Sequence, residues 1–486
     1  MRKTVLIAIV SLVCPIITLH AQEEFYSGLL LNDSAYAQIP QKPDLLTRNY
    51  EILPESYSLQ PYCPEVKNQG RYGTCTGWAT TYAARTITEA AANNWQDPFL
   101  ITREAFSPLF VYTLIKNNKD MNCLSGTYMN AAFEVLKGKG AVKHDVFDQA
   151  CPSAVPRELF SEAASNTIEN YFTLFSDKDS YLKKINTTKK SIAENRPVVI
   201  SMLLFTSFYN PNEDLWSGIT DVKREYHAMC AVAYDDNKYG GAFLLMNSWG
   251  KHWGVDGFKW VRYGDYSQYV NYAIEMYVKK KDLPPAPIET PVTPRPTPAR
   301  PVLSKQSELV DLAGELRFIL STGQEMRPKL QASRKMPYYQ LEGSYISGTR
   351  YRLYISNNEP AYVYVIGSDL KNSVTKVFPP NDHISAALVY KSNDIAIPDE
   401  KWYIEMDNIT GKDYICVLYS RDELPINDII KNMKAKSGSF FDKVAKVLSD
   451  KTVPAKAIKY DASTIHFSVK NTNKIIVPII VEIDHK

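Results

Sequence analysis

The stretch Val66-Lys67-Asn68-Gln69-Gly70-Arg71-Tyr72-Gly73-Thr74-Cys75 runs into Thr76-Gly77-Trp78 and then into an apolar-periodic segment. Trp78, Ala79, Tyr82, Ala83, Ile87 and Ala90 recur at three- and four-residue steps, which predicts a helix over 74–92. Cys75 therefore opens a helix, where the positive end of the dipole favours a thiolate. Thr74 is positioned to cap that helix, and Gly73 lets backbone approach closely. Taken alone, a buried structural cysteine explains the position equally well.

A thiolate nucleophile needs a base, and the base needs a third group to orient it. Beyond residue 21 the histidines are His144, His227, His252, His383, His466 and His485. Only His227 leads straight into an apolar run, Ala228-Met229-Cys230-Ala231-Val232-Ala233-Tyr234. Asn247-Ser248-Trp249-Gly250 ends the next apolar run, Ala242–Met246. Antiparallel pairing of the two strands brings His227 and Asn247 side by side, with Trp249 shielding their hydrogen bond.

These blocks resemble the papain family of cysteine proteases, from Leu53-Pro54 to about Tyr277. Gln69 stands six residues before Cys75, and Gly73-Thr74-Cys75 is similar to the family's nucleophile block. Cys123-Leu124-Ser125-Gly126 resembles the turn beside the non-prime substrate cleft. Trp216-Ser217-Gly218-Ile219 resembles the turn before the histidine strand. The block Asn247-Ser248-Trp249-Gly250-Lys251-His252-Trp253-Gly254-Val255-Asp256-Gly257-Phe258 is the most specific. Cys75 precedes His227 by 152 residues (227 − 75) and Asn247 by 172 (247 − 75), spacings that fit the family.

The resemblance implies roles. Cys75 attacks the scissile carbonyl, His227 carries the proton, Asn247 orients His227, and Gln69 with the Cys75 N–H binds the oxyanion. Gly126 would hydrogen-bond the substrate backbone, and Trp249 would line the cleft. The family's bridges in this lobe also imply a Cys123–Cys151 disulfide. His252 and Trp253 read as a loop on the leaving-group side. Three departures stand out. Thr76 replaces the tryptophan that usually follows the nucleophile, Tyr72 replaces a cysteine that usually pairs, and only about 28 residues precede the catalytic segment. That extension is too short for the family's long inhibitory propeptide. The Cys75–His227 pair is expected to rest as thiolate and imidazolium. No H-E-x-x-H, C-x-x-C or EF-hand loop is present, so neither metal nor cofactor is expected.

The rest of the chain sets the context. Arg2-Lys3 followed by the apolar Val5–Leu19 and Ala21 has the layout of a secretory signal peptide over 1–21, cut after Ala21. The protein is then expected to be periplasmic, cell-surface or secreted, in a compartment that permits disulfides, with no integral membrane segment. With 56 Lys plus Arg against 53 Asp plus Glu, the net charge of +3 argues against a nucleic-acid partner. Residues 284–301 carry eight prolines in 18 positions and predict an extended spacer. The resulting organisation is an extension over 22–49, a catalytic domain over 50–282, a linker over 283–303 and a β-rich domain over 304–486. That last region loosely resembles an uncharacterised accessory domain appended to bacterial enzymes, through Tyr362-Val363-Tyr364-Val365-Ile366, Val377-Phe378-Pro379-Pro380 and Gly411–Ser420. Its tyrosines leave a surface or polymer ligand open, although alternating aromatics in strands more often form core. The spacer is expected to hold this domain away from the cleft.

The fold class is α+β: a papain-like two-lobed catalytic domain, with a helical lobe and a β-barrel-like lobe, followed by a separate β-rich domain. The implied function is an exported cysteine endopeptidase acting on protein or peptide substrates. A catalytically weak binding or adhesion module, and an exopeptidase or acyl transferase on the same scaffold, are the alternatives.

Overall fold

The computed structural model describes residues 25–278, 312–331, 336–369, 373–470 and 473–486. The signal-like segment 1–21 and the linker 283–303 lie outside the described residues. No helix among the described residues is long and apolar enough to cross a membrane.

The helix predicted over 74–92 runs from Cys75 to Ala92, with a π-helical middle at Trp78–Arg85. Thr74 precedes it but makes no capping bond with its side chain, and its buried hydroxyl has no partner among the described residues. Helices Pro108–Ile115 and Met129–Gly138 pack beside it and complete the helical lobe. Both Ser107 and Asp97 do cap their helices, accepting from Phe110 and Phe99 N–H groups.

The second lobe is a sheet with strand order Asn170–Phe175, Val270–Tyr277, Val198–Phe205, Lys223–Asp235, Ala242–Met246 and Phe258–Arg262, and Ser56–Ser58 pairs with Lys223–Asp235. Val198–Phe205 is apolar almost throughout and lies in the middle of the sheet, buried along nearly its whole length. Lys223–Asp235 begins with three exposed charged residues and then becomes continuously buried from His227. His227 therefore sits where a solvated strand end enters the core. Both lobes share one apolar cluster.

Beyond the linker, two antiparallel-rich sheets enclose a second core. Both Arg350–Asn357 and Ala361–Ser368 are paired on two sides, but the first alternates buried with less buried positions, as for a sheet with one face toward solvent, whereas the second is buried throughout, as for a strand covered on both faces. Tyr351, Tyr362, Tyr364 and Tyr419 are all buried, so these tyrosines are core residues. Phe440–Leu448 is a helix that buries Phe440, Val444 and Leu448, and Ile426–Ala435 is a helix before it.

The two domains are docked on each other, through residues of the catalytic sheet that are not among those gathered around Cys75. Arg196 donates to the carbonyl of Val389 at 2.6 Å, Asn170 to Glu423 at 3.1 Å, and Tyr390 to Glu275. A long linker permits separation but does not enforce it. Residues 41–49 of the N-terminal extension contact both domains.

Candidate active site

Antiparallel pairing of Lys223–Asp235 with Ala242–Met246 puts Cys230 opposite Met246. Residues 227 and 247 therefore meet at one end of the pair. His227 Nε2 lies 2.7 Å from Asn247 Oδ1, and the same oxygen accepts the N–H of Ser248 at 2.7 Å. Because Oδ1 is already an acceptor, Nε2 carries the proton and Nδ1 keeps its lone pair. Nδ1 is buried with no hydrogen-bond partner among the described residues. Trp249 stacks on the imidazole at 4.6 Å between ring centroids, sheltering the bond from water.

Cys75 is fully buried at the start of its helix. Its sulfur is contacted by the N–H of Ala228, the neighbour of His227, and by Thr76. The loop holding Gln69 is tied to the loop holding Asn247: the Gln69 N–H donates to Ser248 O at 2.8 Å, and Gly250 N–H to Lys67 O at 3.2 Å. Ser248 Oγ also donates to Gln69 Oε1 at 2.6 Å, which turns the amide NH₂ of Gln69 outward. Gln69, Cys75, His227, Asn247 and Trp249 thus gather in one place. Cys123 and Cys151 are disulfide-bonded, and Cys63, Cys75, Cys230 and Cys416 are free. No cluster of metal-binding side chains occurs among the described residues.

The cleft beside these residues is occupied by the chain's own N-terminal segment. Gln69 Nε2 donates to the carbonyls of Tyr26 (3.0 Å) and Tyr72 (2.7 Å), so the amide that would hold an oxyanion is engaged. Trp249 Nε1 donates to the same Tyr26 carbonyl at 2.8 Å, and Phe25 stacks on Trp249 at 4.9 Å. Gly28 lies against Gly73 so closely that any Cβ would run into the Gly73 carbonyl. Gly126, at φ +71°, has no room for a side chain because Gly28 O would meet it, and Thr127 N–H donates to Gly28 O at 2.9 Å. Leu29–Leu30 then pairs in parallel with Thr127–Tyr128.

The extension of about 28 residues is too short for a long propeptide, yet its residues 25–30 reach across the cleft, because six residues in extended form span roughly 20 Å. In this closed state burial opposes the expected ion pair, pushing the Cys75 thiol up to about 12 and the His227 imidazole down to about 4.

The sequence offered no motif for Phe25-Tyr26-Ser27-Gly28-Leu29-Leu30, nor for Ser248 as the group that orients Gln69. Glu275 was legible in principle, since a lone acid in the apolar run Tyr272-Ala273-Ile274-Glu275-Met276 signals a buried partner.

Residues 53–279 match the papain family cysteine protease model, and residues 344–423 match a domain of unknown function (DUF4384). An uncharacterized peptidase C1-like protein of Acanthamoeba polyphaga mimivirus is 27% identical over 206 residues, 39% of this chain and 62% of that protein. Zingipain-2 of Zingiber officinale is 24% identical over 200 residues, 40% of this chain and 79% of that protein. The chain spans about three-fifths of the mimivirus relative's length. Among solved structures, xylellain, a cysteine protease from Xylella fastidiosa, is 21% identical with a TM-score of 0.42, covering 53% of this chain and 97% of that one. On the family matches, residues 53–279 are similar to papain-family cysteine proteases and residues 344–423 to the DUF4384 domain.

Proposed function

We propose that this chain is the closed precursor of an exported cysteine endopeptidase. Cys75 is the nucleophile, His227 the proton carrier, Asn247 its orienting partner and Gln69 the oxyanion donor. The observation that carries this reading is the 2.7 Å His227–Asn247 bond under the Trp249 ring, with the Cys75 sulfur against Ala228 N–H. In the open state His227 Nδ1 would take the thiol proton, the thiolate would add to the scissile carbonyl, and imidazolium would protonate the leaving amine. The acyl-enzyme would then be hydrolysed by water. The layout of residues 1–21 supports export.

The direction of the N-terminal segment fits a plug rather than a substrate. By resemblance, a substrate's acyl side lies along Gly126 and its leaving side near Trp249 and Trp253. Phe25 stacks on Trp249 while Leu29–Leu30 follow Thr127–Tyr128, so the segment runs the opposite way. Its peptide bonds are presented backwards to the thiol.

A peptide-library digest by the opened enzyme, read by mass spectrometry, tests the proposal. Internal cuts that vanish in Cys75→Ala support an endopeptidase. Release of single residues would favour the exopeptidase alternative, and no cutting by the opened wild-type chain would favour a binding module.

A further inference from the structure

Strand Phe258–Arg262 alternates half-buried and buried positions, and the buried positions are Lys259 and Val261. An apolar residue suits such a place, because a desolvated ammonium is costly unless it is paired. Lys259 is fully buried, yet no carboxylate pairs with it among the described residues. Its Nζ donates instead to two backbone carbonyls, Asn210 O at 2.6 Å and Phe208 O at 3.2 Å. The Trp253 ring centre lies 4.3 Å from the ammonium, and Trp253 Nε1 donates to the same Phe208 O at 3.3 Å. The triad chemistry makes no use of this cation.

The two carbonyls flank Tyr209, the last residue of the short 3₁₀ turn Thr206–Tyr209. Tyr209 stacks on Trp249 with 5.0 Å between ring centroids, and Trp249 stacks in turn on His227 at 4.6 Å. Phe208 meets Trp249 edge-on at 6.3 Å. Farther along, backbone holds the same loop to the Lys259 strand, with Trp216 N–H donating to Trp260 O at 2.9 Å and Trp260 N–H to Asp214 O at 2.7 Å. At the turn itself the amine ties down the carbonyls on both sides of Tyr209, so the seating of that ring on Trp249 depends on it.

We propose that Lys259 is a positioning residue for the proton-carrying pair: by holding the Phe208 and Asn210 carbonyls it seats Tyr209 on Trp249, and Trp249 keeps water off the His227–Asn247 hydrogen bond. The inference rests on the reading of His227 as the proton carrier. Charge-assisted hydrogen bonds are about twice as strong as neutral ones, so the seat depends on the ammonium form. Burial pushes Lys259 down to about 8, and Glu213 offsets part of that. Glu213 belongs to the tethered loop and accepts from Asn210 Nδ2 at 2.8 Å, whereas Asp214 beside it is held by Tyr239 OH at 2.6 Å. The adjoining strand Ala242–Met246 sets Leu245 opposite Lys259, and the loop after Trp249 brings the Trp253 ring. Around Tyr209, Arg224 faces the ring at 5.6 Å and Glu225 accepts from the hydroxyl at 3.5 Å. The seat therefore weakens as pH rises through about 8.

Hydrogen exchange at His227 Nε2–H in the full chain tests this, read by NMR on ¹⁵N-histidine-labelled protein and assigned by loss of the signal in His227→Gln. Lys259→Met keeps the length of the side chain and removes its charge. At pH 7 its exchange should be faster than wild type by about tenfold or more, the usual worth of a hydrogen bond to a charged group. That ratio should shrink toward one above about pH 8, where the wild type sheds its own ammonium. A merely structural side chain would leave the ratio independent of pH. Tyr209→Leu, with Lys259 in place, should show the same acceleration at pH 7 and the same convergence with wild type, which decides the matter even if Lys259→Met does not fold. Equal exchange in wild type and Lys259→Met, a ratio that does not change with pH, or unchanged exchange in Tyr209→Leu would each overturn the proposal. Accelerated exchange in the variants, together with an opened wild type that cuts no peptide, would sink the peptidase reading and leave the positioning role standing.

Discussion

At the scale of single residues, the site is defined by which atoms are already committed. Asn247 Oδ1 holds His227 Nε2–H, so Asn247→Ala should lower kcat because the ring loses its orientation, and should cost about 1–3 kcal/mol of stability because two buried donors lose their acceptor. Gln69→Ala in the opened enzyme should reduce kcat by roughly 10²–10³, the usual cost of one oxyanion donor. Steady-state kinetics on a fluorogenic peptide reads both. Buried as it is, Cys75 should alkylate slowly in the intact chain at pH 7, since its thiol sits far above neutrality. The pH dependence follows from His227. Its pKa of about 4 in the closed state lies below the ordinary 6.5, so a displaced plug lets the ring bind a proton that the closed state refuses. The His227 contribution to closure is fully present above about 6.5 and is lost as pH falls from 6.5 through 4. Iodoacetamide labelling of Cys75 should therefore accelerate on acidification over that window. Labelling that only slows as pH falls would contradict the linkage.

At the scale of elements, the plug is held by a two-residue strand pair and by glycine-to-glycine contact. Gly28 is the position where the plug tolerates no side chain, because Gly73 and Gly126 crowd it from two sides. Gly28→Ala should weaken closure by about 1–3 kcal/mol, the common cost of overpacking. The expected result is faster Cys75 labelling in the full chain with no loss in the activity of the opened enzyme. Equal labelling of both chains would show that residues 25–30 do not sit this way in solution. The Cys123–Cys151 bond closes a loop of sequence separation 28 around Gly126. Its reduction should cost about 3–4 kcal/mol on chain-entropy grounds. Calorimetry with and without reductant measures this.

At the scale of the whole molecule, the accessory domain is part of the architecture that carries the catalytic segment. Glu275 is fully buried and accepts from Lys42, Ser191 and Tyr390, which belong to three different parts of the chain. Burial alone would raise its carboxyl. Lys42 and Arg196, with the hydrogen bonds, more than offset that and hold it below the usual carboxylate range. Removing Lys42 leaves this charge with a weakened set of partners, so Lys42→Ala should destabilise the full chain by about 3–5 kcal/mol in urea unfolding. A change below about 1 kcal/mol would mean that the junction is solvated. For the same reason residues 50–282 expressed alone should be markedly less stable than the full chain, since Phe172 and Glu275 lose their cover.

The meeting of His227 and Asn247 was legible in the sequence because it is encoded locally. A cysteine at a glycine-flanked helix start, a histidine where a charged strand end turns apolar, and an asparagine at the end of the next strand are short patterns. Period and register alone bring His227 and Asn247 together once two neighbouring strands pair. The β-rich character of the second half was readable for the same reason, from alternation and continuous apolar runs. What only the tertiary structure decided is where surfaces meet. Tyr26 and Gln69 are 43 positions apart, and Lys42 and Glu275 are 233 apart. Their contacts depend on the shape and charge of surfaces assembled from many segments, and no periodicity records that. The spacer's composition fixes its reach but not where the domain at its far end comes to rest. The closed state of Cys75 and His227 has the same origin, because desolvation is a property of what covers a group, and here the cover comes from outside the motif.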